Sequence, residues 1–186
     1  MDAEVLERPL PRPTAEDYIN ARILESLIEA RLSLEFLGRG GLVRNSAGKA
    51  FQAWRAFLAA LLRLELNKLL QAVKTDEERR WLMERAVPRV PTTRMKALSQ
   101  MLEKVGYGVL SAWTDKALNL HDYQYNGPDP DMAMSKYRNR GGEAAVDVKL
   151  LIGGELIRRI EELKARVKWT DELENALMEL KRELGS

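Results

Sequence analysis

Residues 45–69 read N-S-A-G-K-A-F-Q-A-W-R-A-F-L-A-A-L-L-R-L-E-L-N-K-L, and the fold of this chain is decided there. Asn45 or Ser46 offers a side-chain oxygen to the free N–H groups of a helix start, and Phe51, Trp54, Leu58, Leu61, Leu62 and Leu69 follow at helical spacing. Residues three and four apart share one face of an α-helix, so these large apolar groups form a single stripe that must be buried. A long helix carrying two aromatic residues and a row of leucines is the central element of whatever packs around it. Its most apolar run, Ala56 to Leu62, falls far short of the roughly 20 residues that span a bilayer, so no membrane association is expected.

The same periodicity extends outward in both directions. Upstream, Thr14 with Asp17 three residues on opens a helix predicted over 15–37, with Ile19, Ile23, Leu24, Leu27, Ile28, Leu32 and Leu34 inward and Gly38, Gly40 and Gly41 as its stop. Pro9, Pro11 and Pro13 lack backbone donors, which predicts an extended arm over 1–13 and a single helical domain over 14–184. Downstream, Thr75 and Glu78 form a capping-box pattern for a short helix around Trp81 that ends before Pro88 and Pro91. Thr92 or Thr93 starts the next, with Met95, Leu98, Met101, Leu102 and Val105 inward and Gly106 at its close. Residues 108–121 keep Val109, Leu110, Trp113, Ala117, Leu118 and His121 in phase, which places His121 near a helix C-terminus and 122–140 in a loop. Helices over 142–167 and 170–184 complete the chain, the last capped by Thr170 with Asp171 and Glu172 facing its positive dipole end. No stretch alternates with period two over a strand length, so the expected fold is all-α: an up-and-down helical bundle with an inserted helical pair near 76–105.

Composition narrows the partners. With 30 basic and 28 acidic residues the net charge is +2, which gives no global field that would draw nucleic acid or anionic lipid, so any such binding is local. The chain has no cysteine, which removes disulfides and thiolate metal sites and fits a cytoplasmic setting. Its first residues lack the basic and apolar regions of a secretory leader. A charged fraction of 31% without cysteine resembles proteins of thermophiles, in which ion-pair networks become less costly.

Chemistry concentrates in residues 114–140, T-D-K-A-L-N-L-H-D-Y-Q-Y-N-G-P-D-P-D-M-A-M-S-K-Y-R-N-R, which hold the only histidine, three of the five tyrosines and a basic cluster. Lys116, His121 and Tyr123 are spaced as Lys-x4-His-x-Tyr. This resembles the R-x4-H-x-Y signature of the HEPN superfamily, and the stretch S-A-G-K-A-F-Q-A-W-R-A is similar to the central helix of its members. L-H-D-Y-Q-Y-N-G-P-D-P-D followed by S-K-Y-R-N-R resembles, more narrowly, the archaeal PaREP1 and PaREP8 group. The resemblance implies a small helical bundle, a homodimer, and one of three roles: a metal-independent endoribonuclease, a toxin paired with a nucleotidyltransferase in a toxin-antitoxin or defence system, or an RNA- or nucleotide-binding module.

The candidate catalytic residues are therefore His121, Lys116 and Tyr123, and the candidate nucleic-acid or nucleotide contacts are Tyr125, Lys136, Tyr137, Arg138 and Arg140. Cleavage of RNA by its own 2'-hydroxyl needs a base, which histidine supplies, and a fixed cation to stabilise the crowded phosphorane. Lysine at 116 is a point charge where the signature has a bidentate fork, and residues five apart on a helix point about 140° away from each other. A catalytic site then requires an unwound helix end or a second subunit. Histidine at a helix C-terminus also has a structural reading, bonded to a carbonyl and favoured by the dipole. Tyr123, Tyr125 and Tyr137 either stack on a base or pack the loop onto the bundle. Lys136, Arg138 and Arg140 either grip phosphate or form a solvated charge run. Asp122, Asp129 and Asp131 read as turn chemistry in preference to a magnesium site, and neither a metal nor a cofactor is expected. Three readings stand in order: a binding module for nucleic acid or a nucleotide, an endoribonuclease using His121 across a dimer cleft, and a structural protein whose loop docks a protein partner.

Overall fold

A computed structural model describes residues 2–139 and 141–185, and among them the chain is helical with no strand. α1 (Asp2–Glu7) opens the chain and α2 (Tyr18–Gly38) and α3 (Val43–Leu64) form its first long hairpin. α4 (Leu66–Ala72) continues α3 after a break at Glu65. α5 (Asp76–Trp81), a π-helical turn (Leu82–Ala86) and α6 (Val87–Arg89) then lead through a 3-10 turn (Thr92–Arg94) into α7 (Met95–Lys104). α8 (Leu110–Asn126) returns along the bundle, and α9 (Gly142–Lys149), a second π-helical stretch (Leu150–Leu156), α10 (Ile157–Leu163) and α11 (Asp171–Gly185) close it. No described helix is long and apolar enough to cross a membrane.

α3 is the axis of the molecule and packs against α2, α6, α7, α8, α9 and the second π-helical stretch. Its Ala47, Ala50, Ala53 and Ala60 are fully buried, and these small side chains let neighbouring backbones approach closely. Hydroxyls seal the α2–α3 contact: Ser26 Oγ donates to the Ala53 carbonyl at 2.8 Å and Ser33 Oγ to the Ser46 carbonyl at 2.7 Å. Trp54, fully buried, donates its indole N–H to Thr114 Oγ1 of α8 at 2.9 Å, and Thr114 meets Ser99 of α7 at 2.6 Å. The polar atoms in this part of the core are thereby satisfied, and three helices are locked in register.

Several local expectations hold. The Thr75–Glu78 capping box is formed in both directions, Thr170 Oγ1 accepts from the Leu173 N–H at 3.3 Å, and Met95, Leu98 and Leu102 are buried. Others are corrected. The arm over 1–13 is not extended throughout, because residues 2–7 precede the first proline and coil into α1. Thr14 does not cap α2, which begins at Tyr18 after Asp17. The long central helix is interrupted at Glu65, whose buried carboxylate accepts from Tyr107 Oη at 2.8 Å and pairs with Lys68 and Arg166, partners from three separate segments.

Candidate functional site

α8 does not end at His121. It runs on to Asn126, so the loop expected over 122–140 begins only after Gly127. Leu120 and Tyr123 are buried and continue the inward stripe of Leu110, Thr114 and Ala117, a continuity hidden in the sequence by the polar residues 122, 124 and 126. The exposed last carbonyls find side-chain donors: Arg44 donates through Nε to the Gln124 carbonyl at 3.0 Å and through Nη2 to that of Tyr125 at 2.6 Å. Gly127 stops the helix at φ +68° and ψ −158°, a backbone region essentially reserved for glycine.

His121 therefore lies within the helix and faces α3. Its ring stacks on Phe51 with centroids 4.0 Å apart and an interplanar angle of 28°, and the edge of Tyr125 meets it at 5.1 Å and 83°. Nδ1 is buried and has no hydrogen-bond partner among the described residues. Burial lowers the imidazole pKa below its ordinary value; the Arg55 charge adds to this and Asp122 opposes it. Protonation would also leave an unpaired N–H in the α3–α8 seam, so the ring is held neutral. Beside it, the Gln124 amide lies flat on α3 at Gly48, where a Cβ would stand 2.5 Å from Gln124 Cδ. Tyr125 itself is 66% exposed.

Lys116 and Tyr123 occupy another face of α8. Lys116 Nζ pairs with Asp147 Oδ1 of α9, and Tyr137 Oη donates to the other oxygen of the same carboxylate at 2.8 Å. Tyr123 packs edge-on against Tyr137, with centroids 5.3 Å apart, and both are buried. Burial, and then the Asp147 charge, push the Tyr137 hydroxyl far above the ordinary tyrosine range. The three residues of the Lys-x4-His-x-Tyr spacing are thus divided within one chain, Lys116 with Tyr123 toward α9 and His121 toward α3. Tyr137 serves this buried cluster and offers no open ring face.

Asp129 organises the loop. One carboxylate oxygen accepts the backbone N–H of Asp131 at 3.1 Å, and the other accepts those of Met134 at 2.6 Å and Ser135 at 3.2 Å. These backbone donors, Met134 foremost, hold its pKa below the usual carboxylate value. The Asp129 N–H bonds the Tyr137 carbonyl at 2.8 Å, and Asn126 Nδ2 bonds that of Met134 at 2.9 Å, which folds the loop back onto the end of α8. Asp129 is occupied by backbone, and among the described residues no group of His, Asp or Glu side chains is placed to hold a metal ion. Lys136 and Arg138 are exposed on this loop, whereas Arg140 lies outside the described residues.

One residue of the site escapes a reading of 114–140 altogether. Arg55 of α3 lies one turn beyond Phe51 with its guanidinium carbon 5.9 Å from that ring's centroid, so the cation beside His121 comes from the central helix and not from position 116. The available signal is a lone charge in the apolar run A-W-R-A-F-L-A-A-L-L.

No curated protein and no solved structure matches the chain. The loop, α8 and α3 that build this site all fall within residues 21–149, which match the family model described as Archaeal PaREP1/PaREP8 family, and the chain belongs to that family.

Proposed function

We propose that this chain is a binding module for nucleic acid or a nucleotide, of the kind its HEPN-like resemblance implies, which holds its ligand without turning it over and works as one part of a toxin-antitoxin or defence pair. The observation that carries the reading is the end of α8, where an exposed Tyr125 ring stands on a neutral His121, and the loop that folds back onto this helix end leaves Lys136 and Arg138 exposed. Aromatic rings take bases of any sequence and basic side chains take the backbone that joins them. The acid-base alternative has less support within one chain. Lys116 is neutralised by Asp147, and the buried nitrogen of His121 lacks the carboxylate that orients a catalytic imidazole.

The test is fluorescence anisotropy with a labelled single-stranded RNA at low salt in EDTA, with the RNA examined on a gel afterwards. Binding without cleavage is expected. Tyr125→Ala should weaken it by about 1–3 kcal/mol at every salt concentration, whereas Arg138→Ala should weaken it and flatten the salt dependence. Cleavage in EDTA that disappears in His121→Ala would replace this reading with the endoribonuclease, and absence of any binding would leave the partner-docking role.

A further inference from the structure

We infer that the outward stripe of α3, between α2 and α8, is a phosphate site centred on Arg55, and that it holds the phosphate of a nucleotide whose base stacks on Tyr125. The identity of the ligand as a nucleotide rests on the binding reading above; the anion site stands on the geometry of α3 and of His121 packed against it.

Arg55 is half-buried, and among the described residues it has neither a hydrogen bond nor an ion pair; it lies over the face of Phe51, and its charge reaches the buried Glu29 carboxylate without bonding it. Other arginines sunk in this fold are committed to oxygen acceptors. Arg22 binds Glu25 and the Pro88 carbonyl, Arg63 the Pro13 carbonyl, and Arg159 Glu155 and the Gly108 carbonyl. Partly desolvating a guanidinium with no hydrogen-bonded anion is unfavourable, and contact with an aromatic face recovers only part of that cost. The forked N–H groups of Arg55 are left for a ligand, and their geometry suits two phosphate oxygens at once.

Further donors lie around it. Gln52, half-buried and one turn earlier on α3, shares the outward stripe of Arg55. His121 is neutral with Nδ1 buried and unpaired, so the tautomer that avoids a buried orphan N–H places the proton on Nε2 and makes that nitrogen a donor. Two carboxylates stand near. Glu29 of α2 is already engaged by Lys49 at 2.9 Å, and Asp122 is exposed beside His121. Neither is bonded to Arg55.

The single histidine gives an unambiguous probe, because one set of imidazole resonances reports on this face of α3. The full chain is titrated with adenosine 5'-monophosphate, inorganic phosphate and adenosine while these resonances are followed by NMR. Adenosine 5'-monophosphate should bind at least about tenfold more tightly than either fragment, since the stacked base and the gripped phosphate each contribute. Arg55→Gln should lose about tenfold or more toward adenosine 5'-monophosphate and inorganic phosphate and leave adenosine unchanged. Arg55→Lys, which keeps the charge and loses the fork, should fall between. Far-ultraviolet circular dichroism confirms that both variants are folded. The proposal is overturned if Arg55→Gln binds adenosine 5'-monophosphate like the unaltered chain, or if adenosine moves the resonances as strongly as the nucleotide does. Loss of RNA binding in Arg138→Ala with none in Arg55→Gln overturns the phosphate site and leaves the binding module standing. Arg55-dependent binding of phosphate without binding of any nucleotide or RNA upholds the anion site and overturns the module.

Discussion

His121 shows how little of a residue's chemistry belongs to its type. The imidazole is pressed between Phe51 and Tyr125, its Nδ1 has lost water without gaining a partner, and a guanidinium lies nearby. Its folded pKa is lowered from 6.5, so the unfolded chain binds the proton more tightly. The group's contribution to stability is therefore fully present above pH 6.5 and is lost as the pH falls through the lowered folded value. We expect the thermal midpoint to drop across this window and His121→Gln to flatten that part of the profile. Asp129 and Glu174, with pKa values lowered from 3.8 and 4.5, lose their contributions only in more acid solution, which separates them from the histidine. A midpoint independent of pH from 7 down to 5, the usual histidine range, would contradict the seam geometry.

At the scale of the element, α8 is one helix with two different faces. The face toward α9 is structural, a Lys116–Asp147–Tyr137 cluster sealed by Tyr123. Asp147→Ala leaves a half-buried ammonium and a buried hydroxyl without their acceptor, and chemical denaturation should show a loss of about 1–3 kcal/mol. Lys116→Ala should likewise lower stability and leave RNA affinity where it was; a selective loss of affinity would return Lys116 to the site. The end of α8 rests on Gly127, whose backbone angles suit no other residue. Gly127→Ala should cost about 1–3 kcal/mol by the same measurement and loosen the loop that carries Lys136 and Arg138.

At the scale of the molecule, α3 supplies both the core and the floor of the site. Phe57 is fully buried there, and Phe57→Ala should destabilise the chain by about 3–5 kcal/mol in urea, with the RNA affinity of the remaining folded fraction unchanged. Lys116 and His121 lie on different faces of α8 within one chain, so the endoribonuclease reading requires a site shared between two copies. We propose a homodimer, for which sedimentation should return twice the chain mass. A strict monomer would remove the shared-site endoribonuclease and leave the binding module.

What the sequence by itself determined is the all-α class, the central position of 45–69, the Thr75–Glu78 box, the Thr170 cap and the family, because periodicity and caps act between residues a turn apart. The same local logic fails where the deciding partner is distant along the chain. The central helix breaks at Glu65 beside Tyr107 and Arg166, and α8 runs past His121 to where Arg44 donates to its last carbonyls. The candidate site divides along the same line. The tyrosines, the histidine and the basic residues of 114–140 were legible as a cluster, but their faces were not. Tertiary packing alone sends Lys116 to Asp147, buries Tyr137, leaves Tyr125 in solvent and brings Arg55, sixty-six positions before His121 in the chain, to the histidine's side, because a neighbour's position across a helix interface is set by how two surfaces fit and not by sequence separation.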